Sequence, residues 1–414
     1  MKNDKVTIIN AWHDDNAGDS AIADVCITVA KSRWPNARID VHTMLGPKDR
    51  KFSDWNRHLK VNHPTVNYRP SLFPEPETRG HWRILKLALR SIASAPLLVR
   101  RLPTWGRFAA NRRISQSDRL VVIGGSDLFQ LRSPRVTSAL RLRRLLEPCL
   151  IASKQGIPYS IWGHTLGPFE TDDGRKLMGR VLSQAEEVVV RENISAKLAH
   201  ELAPDCQVRV LPDLAFALPA DTSLGAAHRY AVFVPRGHIL DSNARGNERL
   251  VAEFSRLALS LVRANVVEEV LVVPQVVGPN KIEDDTRIVK QIVAKCDDPR
   301  VRVSGQGASP RQLRALYADA EAVVAVRLHG AIFALAGGTP AFAVSYFTSK
   351  TQGVLEGADM NSSWCTFEEF SAQRVLDWWQ TSVNDGQRSV IERKSREYVK
   401  TLESLMPSQP PATR

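Results

Sequence analysis

The chain has 414 residues, more than one ordinary domain needs and enough for two, each with a buried core. Hydrophobic residues make up 43% and charged residues 24%, as in ordinary globular proteins, which disfavours disordered and fibrous classes. The net charge of +12 predicts an anionic partner, namely a phosphorylated substrate, nucleic acid or an anionic membrane surface.

The start of the chain and its cysteines predict a reduced protein in the cytoplasm. The first apolar run stops at His13, Asp14 and Asp15, so we expect no signal peptide. No stretch reaches the roughly 18 apolar residues that a membrane-spanning helix requires. The 5 cysteines are widely separated and odd in number, which disfavours a disulfide framework or a zinc site. We therefore expect no bound metal.

Short apolar runs alternate with helical patterns through the N-terminal half. "KVTIINAW" predicts a strand, residues 16–19 a loop, and "SAIADVCITVAKSRW" a helix with a basic end. The pattern then predicts further strands at "RIDVHTM", "RLVVIGGSD", "PYSIWGHTLGP", "EEVVVRE" and "QVRVLPDLAF". Continuous apolar strands of this kind are typical of a parallel sheet covered on both faces. The half is therefore predicted to be Rossmann-like.

A basic insertion at about 72–117 interrupts this half. Its stretch 81–113 mixes apolar residues with arginines between Trp82 and Trp105, a composition suited to a helix in a membrane interface. The alternative is an ordinary helix that packs its apolar face on the domain and exposes a basic face. Pro96 would break or kink a helix here.

The pattern restarts after a linker of small and polar residues at 218–229. Strands are predicted at "YAVFVPRG", "EEVLVVPQVVG", "VRVSGQ", "EAVVAVRLHG" and "PAFAVSY", with helices near 247–265, 283–296 and 310–319. We therefore predict an N-terminal Rossmann-like domain over 1–218, a C-terminal one over 229–385, and a helix with a flexible tail over 386–414. Ligands of such doubly wound domains bind at the carboxyl ends of the strands, here in a cleft between the two domains.

Polar residues follow several of the predicted strands. Gly124 and Gly125 would let the backbone approach an anion or a sugar hydroxyl, although such a pair can be only a tight turn. Arg191 precedes a predicted helix start, where guanidinium and free N–H groups converge on an anion, unless it only forms a surface salt bridge with Glu192. His164, in "WGHTLGPF", could be structural or catalytic.

Arg327 and His329 give the strongest signal, because they stand between an apolar strand and an apolar helix. Buried polar groups are costly without partners, so two of them here predict a ligand, a counter-ion or a catalytic role. Arg327 would supply a fixed positive charge. His329 would donate or accept a proton near neutral pH.

Six of these motifs together resemble the polysaccharide pyruvyl transferase family. The stretches are "NAGDSAI", "GGSDLF", "GHTLGPF", "VVVRENIS", "LPDLAF" and "RLHGAIFALAGGTPAFAVSYFTSK", in register along roughly residues 8–357. The resemblance implies two Rossmann-like domains of the GT-B glycosyltransferase type. It also implies transfer of pyruvate from phosphoenolpyruvate to sugar hydroxyls, commonly as a cyclic ketal, with an acceptor side in the N-terminal domain and a donor side in the C-terminal domain.

The resemblance assigns roles residue by residue. His329 becomes the leading acid or base, with His164 or Asp19 as the partner base. Donor binding is expected from Arg191, Arg327, Gly330 and Lys350. The residues expected to contact the acceptor or shape its loops are Asn16, Gly18, Gly124, Gly125, Ser126 and Asp127. In many relatives a third glycine stands at Ser126 and a Gln-Ser pair at His164 and Thr165.

The sequence thus predicts a pyruvyl transferase without a cofactor, acting on a cell-envelope or exopolysaccharide sugar. The acceptor could be lipid-linked, with the protein peripheral at the inner face of the membrane. The first alternative is a GT-B glycosyltransferase that uses a nucleotide-sugar. The second is a basic, non-catalytic nucleic-acid-binding protein, although no specific nucleic-acid motif is present.

Overall fold

The structure is a computed structural model that describes most of the chain. Its described residues are 4–46, 54–73, 105–124, 128–132, 135–221, 228–237, 244–279, 283–345, 353–355, 363–383 and 385–406.

The chain divides into two compact units. Unit 1 comprises Met1–His13, Ile22–Leu211 and Leu405–Arg414, and unit 2 comprises Asp14–Ala21 and Pro212–Ser404. The short segment Asp14–Ala21 therefore groups with the C-terminal half. The predicted domain boundaries at 218, 229 and 385 stay predictions, and the residues 222–227 of the predicted linker lie outside the described part of the chain.

A parallel sheet forms the centre of unit 1. The described strands pair in the order β3-β2-β1-β4-β6-β8-β9, and every pairing is parallel. A separate parallel pair joins β5 to β7. The strands are β1 (Lys5–Ala11), β2 (Arg38–Thr43), β3 (Asn67–Arg69), β4 (Arg119–Ile123), β5 (Leu128–Gln130), β6 (Tyr159–His164), β7 (Leu166–Phe169), β8 (Glu187–Val190) and β9 (Val208–Val210).

Unit 2 has a second parallel sheet, in the order β12-β11-β10-β13-β14-β15. Renumbered from the first strand of each unit, both sheets begin 3-2-1-4, which is the order of doubly wound dinucleotide-binding folds. The strands are β10 (Tyr230–Val234), β11 (Glu269–Val272), β12 (Val301–Val303), β13 (Ala322–Ala325), β14 (Ala341–Ser345) and β15 (Trp364–Thr366).

Helices connect the strands, as parallel pairing requires. In unit 1 they are α2 (Arg57–Asn62), α3 (Trp105–Ile114), α4 (Arg135–Lys154), α5 (Asp172–Leu182) and α6 (Asn193–Leu202), preceded by α1 (Ala17–Arg33), which begins in the segment that groups with unit 2. In unit 2 they are α7 (Ala244–Arg263), α8 (Thr286–Cys296), α9 (Pro310–Ala318), α10 (Leu328–Ala336), α11 (Ala372–Ser382) and α12 (Asp385–Glu403), with a 3₁₀ turn at Leu214–Ala217.

Each unit has its own apolar core. Buried Val122, Ile161 and Val188 line up across the sheet of unit 1, and Phe233, Val272 and Val324 do so in unit 2. These strands are buried on both faces, which is why each appears in the sequence as an uninterrupted apolar run. Among the described residues no helix is both long and apolar enough to cross a bilayer.

The part of the basic insertion that the structure describes behaves as an ordinary helix. Ala110 and Ile114 of α3 are buried in the core of unit 1, while Arg112 and Arg113 are exposed. Residues 74–104 lie outside the described part of the chain. The membrane-interface hypothesis for 81–113 therefore stays a prediction.

Candidate functional site

The candidate site lies in unit 2, where the sheet changes direction. The chain leaves β10 and β13, two neighbouring strands, toward opposite edges of the sheet, and such a switch point opens a crevice at their carboxyl ends. Arg236 follows β10, and Arg327 and His329 follow β13. The sequence therefore brings two cations and an imidazole to the place where this fold class binds ligands.

Arg327 is clamped by a buried carboxylate. Its Nε donates to Asp285 Oδ2 at 2.9 Å, and its Nη2 donates to Asp285 Oδ1 at 2.7 Å. The same Nη2 also donates to the backbone carbonyl of Glu283 at 2.7 Å. Asp285 further accepts from the backbone N–H of Val276 at 3.1 Å. The guanidinium is thus fixed in one orientation, and its charge is balanced by Asp285.

Arg236 adds a second cation beside this pair. Burial, together with the neighbouring charge of Arg327, lowers the pKa of Arg236 to about 10. It still carries its positive charge at neutral pH. The carboxylates of Asp285 and Glu283 lie close enough to Arg236 to favour its charged form.

His329 lies in the first turn of α10 and packs against Gly18. A Cβ added to Gly18 would overlap the Nδ1 atom of His329, so only glycine fits at this position of α1. The His329 side chain is 15% exposed, but its Nε2 atom is buried. Gly18, predicted as an acceptor-loop residue, is therefore a direct neighbour of the imidazole.

A buried carboxylate lies on the other side of the ring. Asp213 Oδ2 is 3.7 Å from His329 Nε2, and the Asp213 side chain has no exposed surface. The other oxygen, Oδ1, accepts the backbone N–H of Ala215 at 2.9 Å and so caps the 3₁₀ turn. That turn packs against α10, which places the carboxylate beside His329.

The loop before α1 is attached to the segment that follows β11. The backbone N–H of Ala17 donates to the carbonyl of Gln275 at 3.2 Å, and that of Val277 donates to the carbonyl of Asp15 at 2.8 Å. Asn16 forms a bridge with Val276 and donates from Nδ2 to Asp19 Oδ2 at 2.6 Å. These bonds explain why residues 14–21 group with unit 2 and why Gly18 reaches His329.

Arg191 lies in unit 1 and forms a buried network of its own. Its Nε donates to Thr165 Oγ1 at 2.7 Å and lies 3.6 Å from Glu192 Oε2, and both charged side chains are 2% exposed. Ser195 Oγ donates to Glu192 and accepts the backbone N–H of Leu166. The pairing with Glu192, the alternative to anion binding, is therefore present but buried, and the helix that follows begins at Asn193.

His164 and Gly124 are also in unit 1. His164 ends β6 and is 1% exposed, and its carbonyl accepts the backbone N–H of Arg191 at 3.3 Å. A Cβ added to Gly124 would overlap the backbone of Gly163, so the glycine permits two strand ends to approach. Packing against Gly163 is therefore enough to explain the glycine at position 124. The predicted contact of Gly124 with the acceptor stays a prediction. Four predicted site residues lie outside the described part of the chain: Gly125, Ser126, Asp127 and Lys350.

Three residues of this site were missed by the sequence prediction. Arg236 carries the same signal as Arg327, a basic residue directly after an apolar strand, and it could have been found. Asp213 stands in the "LPDLAF" motif but received no role. Asp285, within "EDDT", gave no signal, because nothing local distinguishes a buried carboxylate from a solvated one.

Within the described ranges, no group of His, Cys, Asp and Glu side chains has the arrangement of a metal site.

Comparison with known proteins decides the family. The model of the family described as polysaccharide pyruvyl transferase matches residues 16–348. The chain belongs to this family. The site residues Gly18, Asp213, Arg236, Asp285, Arg327 and His329 all fall inside the matched range. The family predicted from the six motifs is thus confirmed.

A curated relative supports this membership. The chain is similar to amylovoran biosynthesis protein AmsJ of Erwinia amylovora, with 24% identity over 262 residues. The match covers 59% of this chain and 60% of the relative, which is less than two thirds of the relative's length.

Solved structures resemble this chain in fold. UDP-GlcNAc 2-epimerase from Neisseria meningitidis, bound to UDP-GlcNAc, has 12% identity and a TM-score of 0.56, covering 97% of this chain and 100% of that one. Medicago truncatula UGT71G1, complexed with UDP-glucose, has 10% identity and a TM-score of 0.55, covering 98% of each chain. The predicted fold class, two Rossmann-like domains resembling those of GT-B glycosyltransferases, is confirmed.

Proposed function

We propose that the protein transfers the pyruvyl group of phosphoenolpyruvate to hydroxyls of a cell-envelope or exopolysaccharide sugar and forms a pyruvate ketal. The observation that carries this proposal is the placement of His329 between Gly18 and Asp213, at a switch point that also carries Arg236 and Arg327. Phosphoenolpyruvate is a compact polyanion, and clustered guanidinium groups suit its phosphate and carboxylate.

The proposed reaction needs one proton donor and one base. A proton adds to the methylene carbon of phosphoenolpyruvate, which becomes a methyl group and leaves an oxocarbenium-like C2. A sugar hydroxyl adds to C2 and loses its proton to the base. A second hydroxyl then displaces phosphate from C2 and closes the ketal, and its proton leaves with the phosphate as hydrogen phosphate. The products are the ketal and inorganic phosphate, and no oxidant, reductant or cofactor enters the balance.

We assign the proton donor to His329, since an imidazole can give and take a proton near neutral pH. Of the two candidate bases, Asp19 belongs to the same loop as Gly18, and its carboxylate accepts from Asn16 Nδ2 at 2.6 Å. His164 belongs to unit 1. The described contacts therefore support Asp19 as the first base to test, with His164 as the second.

Ligand-dependent stability separates this function from its alternatives. A ligand that binds only the folded protein raises the thermal midpoint. We expect phosphoenolpyruvate to raise it and UDP or GDP to leave it unchanged. Stabilisation by UDP or GDP alone would favour a nucleotide-sugar glycosyltransferase, the donor class bound by the two structural relatives above. Salt-sensitive DNA binding without any response to phosphoenolpyruvate would favour a nucleic-acid-binding protein.

Turnover is tested with the same donor. Phosphate release from phosphoenolpyruvate should depend on a saccharide acceptor, and a panel of cell-envelope sugars serves as the source of acceptors. We propose action in the cytoplasm on an acceptor that can be lipid-linked. Release that is equal with and without every acceptor would count against transfer and leave only hydrolysis.

A further inference from the structure

His329 has two ring nitrogens in different surroundings. Nε2 is buried and faces the carboxylate of Asp213 at 3.7 Å. Nδ1 lies beside Gly18, at the N-terminal end of α1. Because the side chain is 15% exposed while Nε2 is buried, the accessible part of the ring excludes Nε2. The two nitrogens therefore cannot have the same role.

The electric field across the ring favours one tautomer. A carboxylate attracts an N–H group, so Asp213 favours a proton on Nε2. The N-terminus of a helix carries partial positive charge, so α1 favours the lone pair of Nδ1 over an N–H group. Both influences act in the same direction, although they come from elements at opposite sides of the ring.

We propose that Asp213 is a positioning residue that holds a proton on His329 Nε2, so that Nδ1 is the atom that gives and takes the catalytic proton. This inference rests on the proposed function and extends it to a named atom. Asp213 would also stabilise the imidazolium that exists before the proton passes from Nδ1 to the methylene carbon. Gly18 leaves room beside Nδ1, which any side chain at this position would fill.

A substitution at Asp213 can remove the negative charge of the side chain and still keep its capping hydrogen bond. Asparagine is as good a cap as aspartate, so Asp213→Asn retains the acceptor for the backbone N–H of Ala215. Its amide N–H₂ group would then face Nε2 and favour a lone pair there, which moves the proton to Nδ1. This variant therefore separates the electrostatic role of Asp213 from its structural one.

A matched control is available in the same unit. Asp298 Oδ1 accepts the backbone N–H of Arg300 at 3.0 Å, the same i to i+2 contact that Asp213 makes with Ala215. Asp298 precedes β12, at the amino end of the sheet, and so lies away from the carboxyl ends that carry His329. Asp298→Asn should therefore leave turnover unchanged.

The tautomer is measured by long-range ¹H–¹⁵N NMR on protein labelled at its 10 histidines, with His329→Gln used for assignment. We expect an Nε2–H tautomer at His329 in the parent and an Nδ1–H tautomer in Asp213→Asn. The same tautomer in both proteins would overturn the proposal, and this measurement requires no activity. If the parent shows the expected tautomer but never transfers pyruvate, only the proposed function fails.

Kinetics give the second readout. We expect Asp213→Asn to lower kcat by roughly 10- to 100-fold with KM for phosphoenolpyruvate and the thermal midpoint unchanged. The loss is smaller than the ~10⁴-fold caused by replacing a directly hydrogen-bonded carboxylate, because 3.7 Å exceeds a hydrogen bond. In the His329→Gln background, Asp213→Asn should cost nothing more. An equal loss in both backgrounds would show a merely structural role.

Discussion

At the scale of single residues, Gly18 sets the position of the imidazole. Alanine is normally better than glycine in a helix by about 1 kcal/mol. At Gly18, however, the added methyl group would overlap His329 Nδ1. We expect Gly18→Ala to lower kcat by roughly 100-fold or more, within the range of acid–base catalysis, while the protein stays folded. Steady-state kinetics and a thermal melt measure the two effects.

Gly246 provides the control for this substitution. It also lies in the first turn of a helix, α7, and the nearest atom to an added Cβ is a ring carbon of Phe367 at 3.9 Å. Gly246→Ala should leave kcat unchanged and raise stability slightly. Equal kinetics for both glycine variants and the parent would show that Gly18 does not position His329.

Arg327 combines a binding role with a structural one. Arg327→Ala would leave Asp285, which is 1% exposed, without its guanidinium partner. Removing one partner of a buried ion pair costs about 3–5 kcal/mol, so we expect a lower thermal midpoint as well as loss of stabilisation by phosphoenolpyruvate.

The double variant separates these two losses. Adding Asp285→Asn to Arg327→Ala removes the unpaired charge, so the midpoint should partly recover while the response to phosphoenolpyruvate stays absent. Recovery of that response would show that Arg327 does not contact the donor.

His42 predicts a pH dependence for unit 1. Burial lowers the pKa of His42 to about 4, and Nδ1 lies 2.8 Å from the carbonyl oxygen of Pro70. Between about pH 6.5 and pH 4 the unfolded chain binds a proton that the folded chain rejects, so stability falls as the pH falls. The expected loss in the free energy of unfolding is roughly 3 kcal/mol.

Urea unfolding of the parent and of His42→Gln, which keeps an N–H donor, tests this. The free energy of unfolding should depend less on pH in the variant than in the parent. If the stability of the parent and of His42→Gln depended on pH in the same way, His42 would not be the source of this pH dependence.

At the scale of helices and strands, the apolar pattern predicted most of the two sheets. The strands that carry the site, β10 and β13, are uninterrupted apolar runs followed by a basic residue, which makes them recognisable. The strands β3, β5 and β15 were missed because each has only 3 residues and none contains the alternating valines by which the equally short β9 and β12 were recognised. Helix α1 begins at Ala17, a turn earlier than predicted, because Asn16 and Asp19 form a local hydrogen-bonded cap.

Helix α9 offers a test of element stability away from the chemistry. Ser309 Oγ accepts the backbone N–H of Gln312 at 3.1 Å, and Gln312 Oε1 accepts that of Ser309 at 2.9 Å, which forms a capping box. Ser309→Ala should cost about 1 kcal/mol of stability without changing kcat. Urea unfolding and steady-state kinetics measure this. A change in kcat with unchanged stability would contradict the assignment of a purely structural cap.

At the scale of the whole molecule, what the sequence could not predict is which distant residues meet. Arg327 and His329 stood out because they interrupt apolar segments, but their carboxylate partners Asp285 and Asp213 are 42 and 116 positions away. No local pattern encodes such pairs. The same holds for Gly18, whose contact with His329 depends on backbone bonds between the loop before α1 and the segment after β11. The facing of the two predicted domains across a cleft stays a prediction.

The central claim is that pyruvate moves from phosphoenolpyruvate to a saccharide. The most direct measurement uses phosphoenolpyruvate labelled with ¹³C at its methylene carbon, together with the panel of cell-envelope sugars, and follows the label by NMR and mass spectrometry. We expect the label to appear as a methyl group on a saccharide ketal, with one phosphate released for each transfer, and to appear far more slowly with His329→Gln. Label that stays in phosphoenolpyruvate with every acceptor would contradict the account.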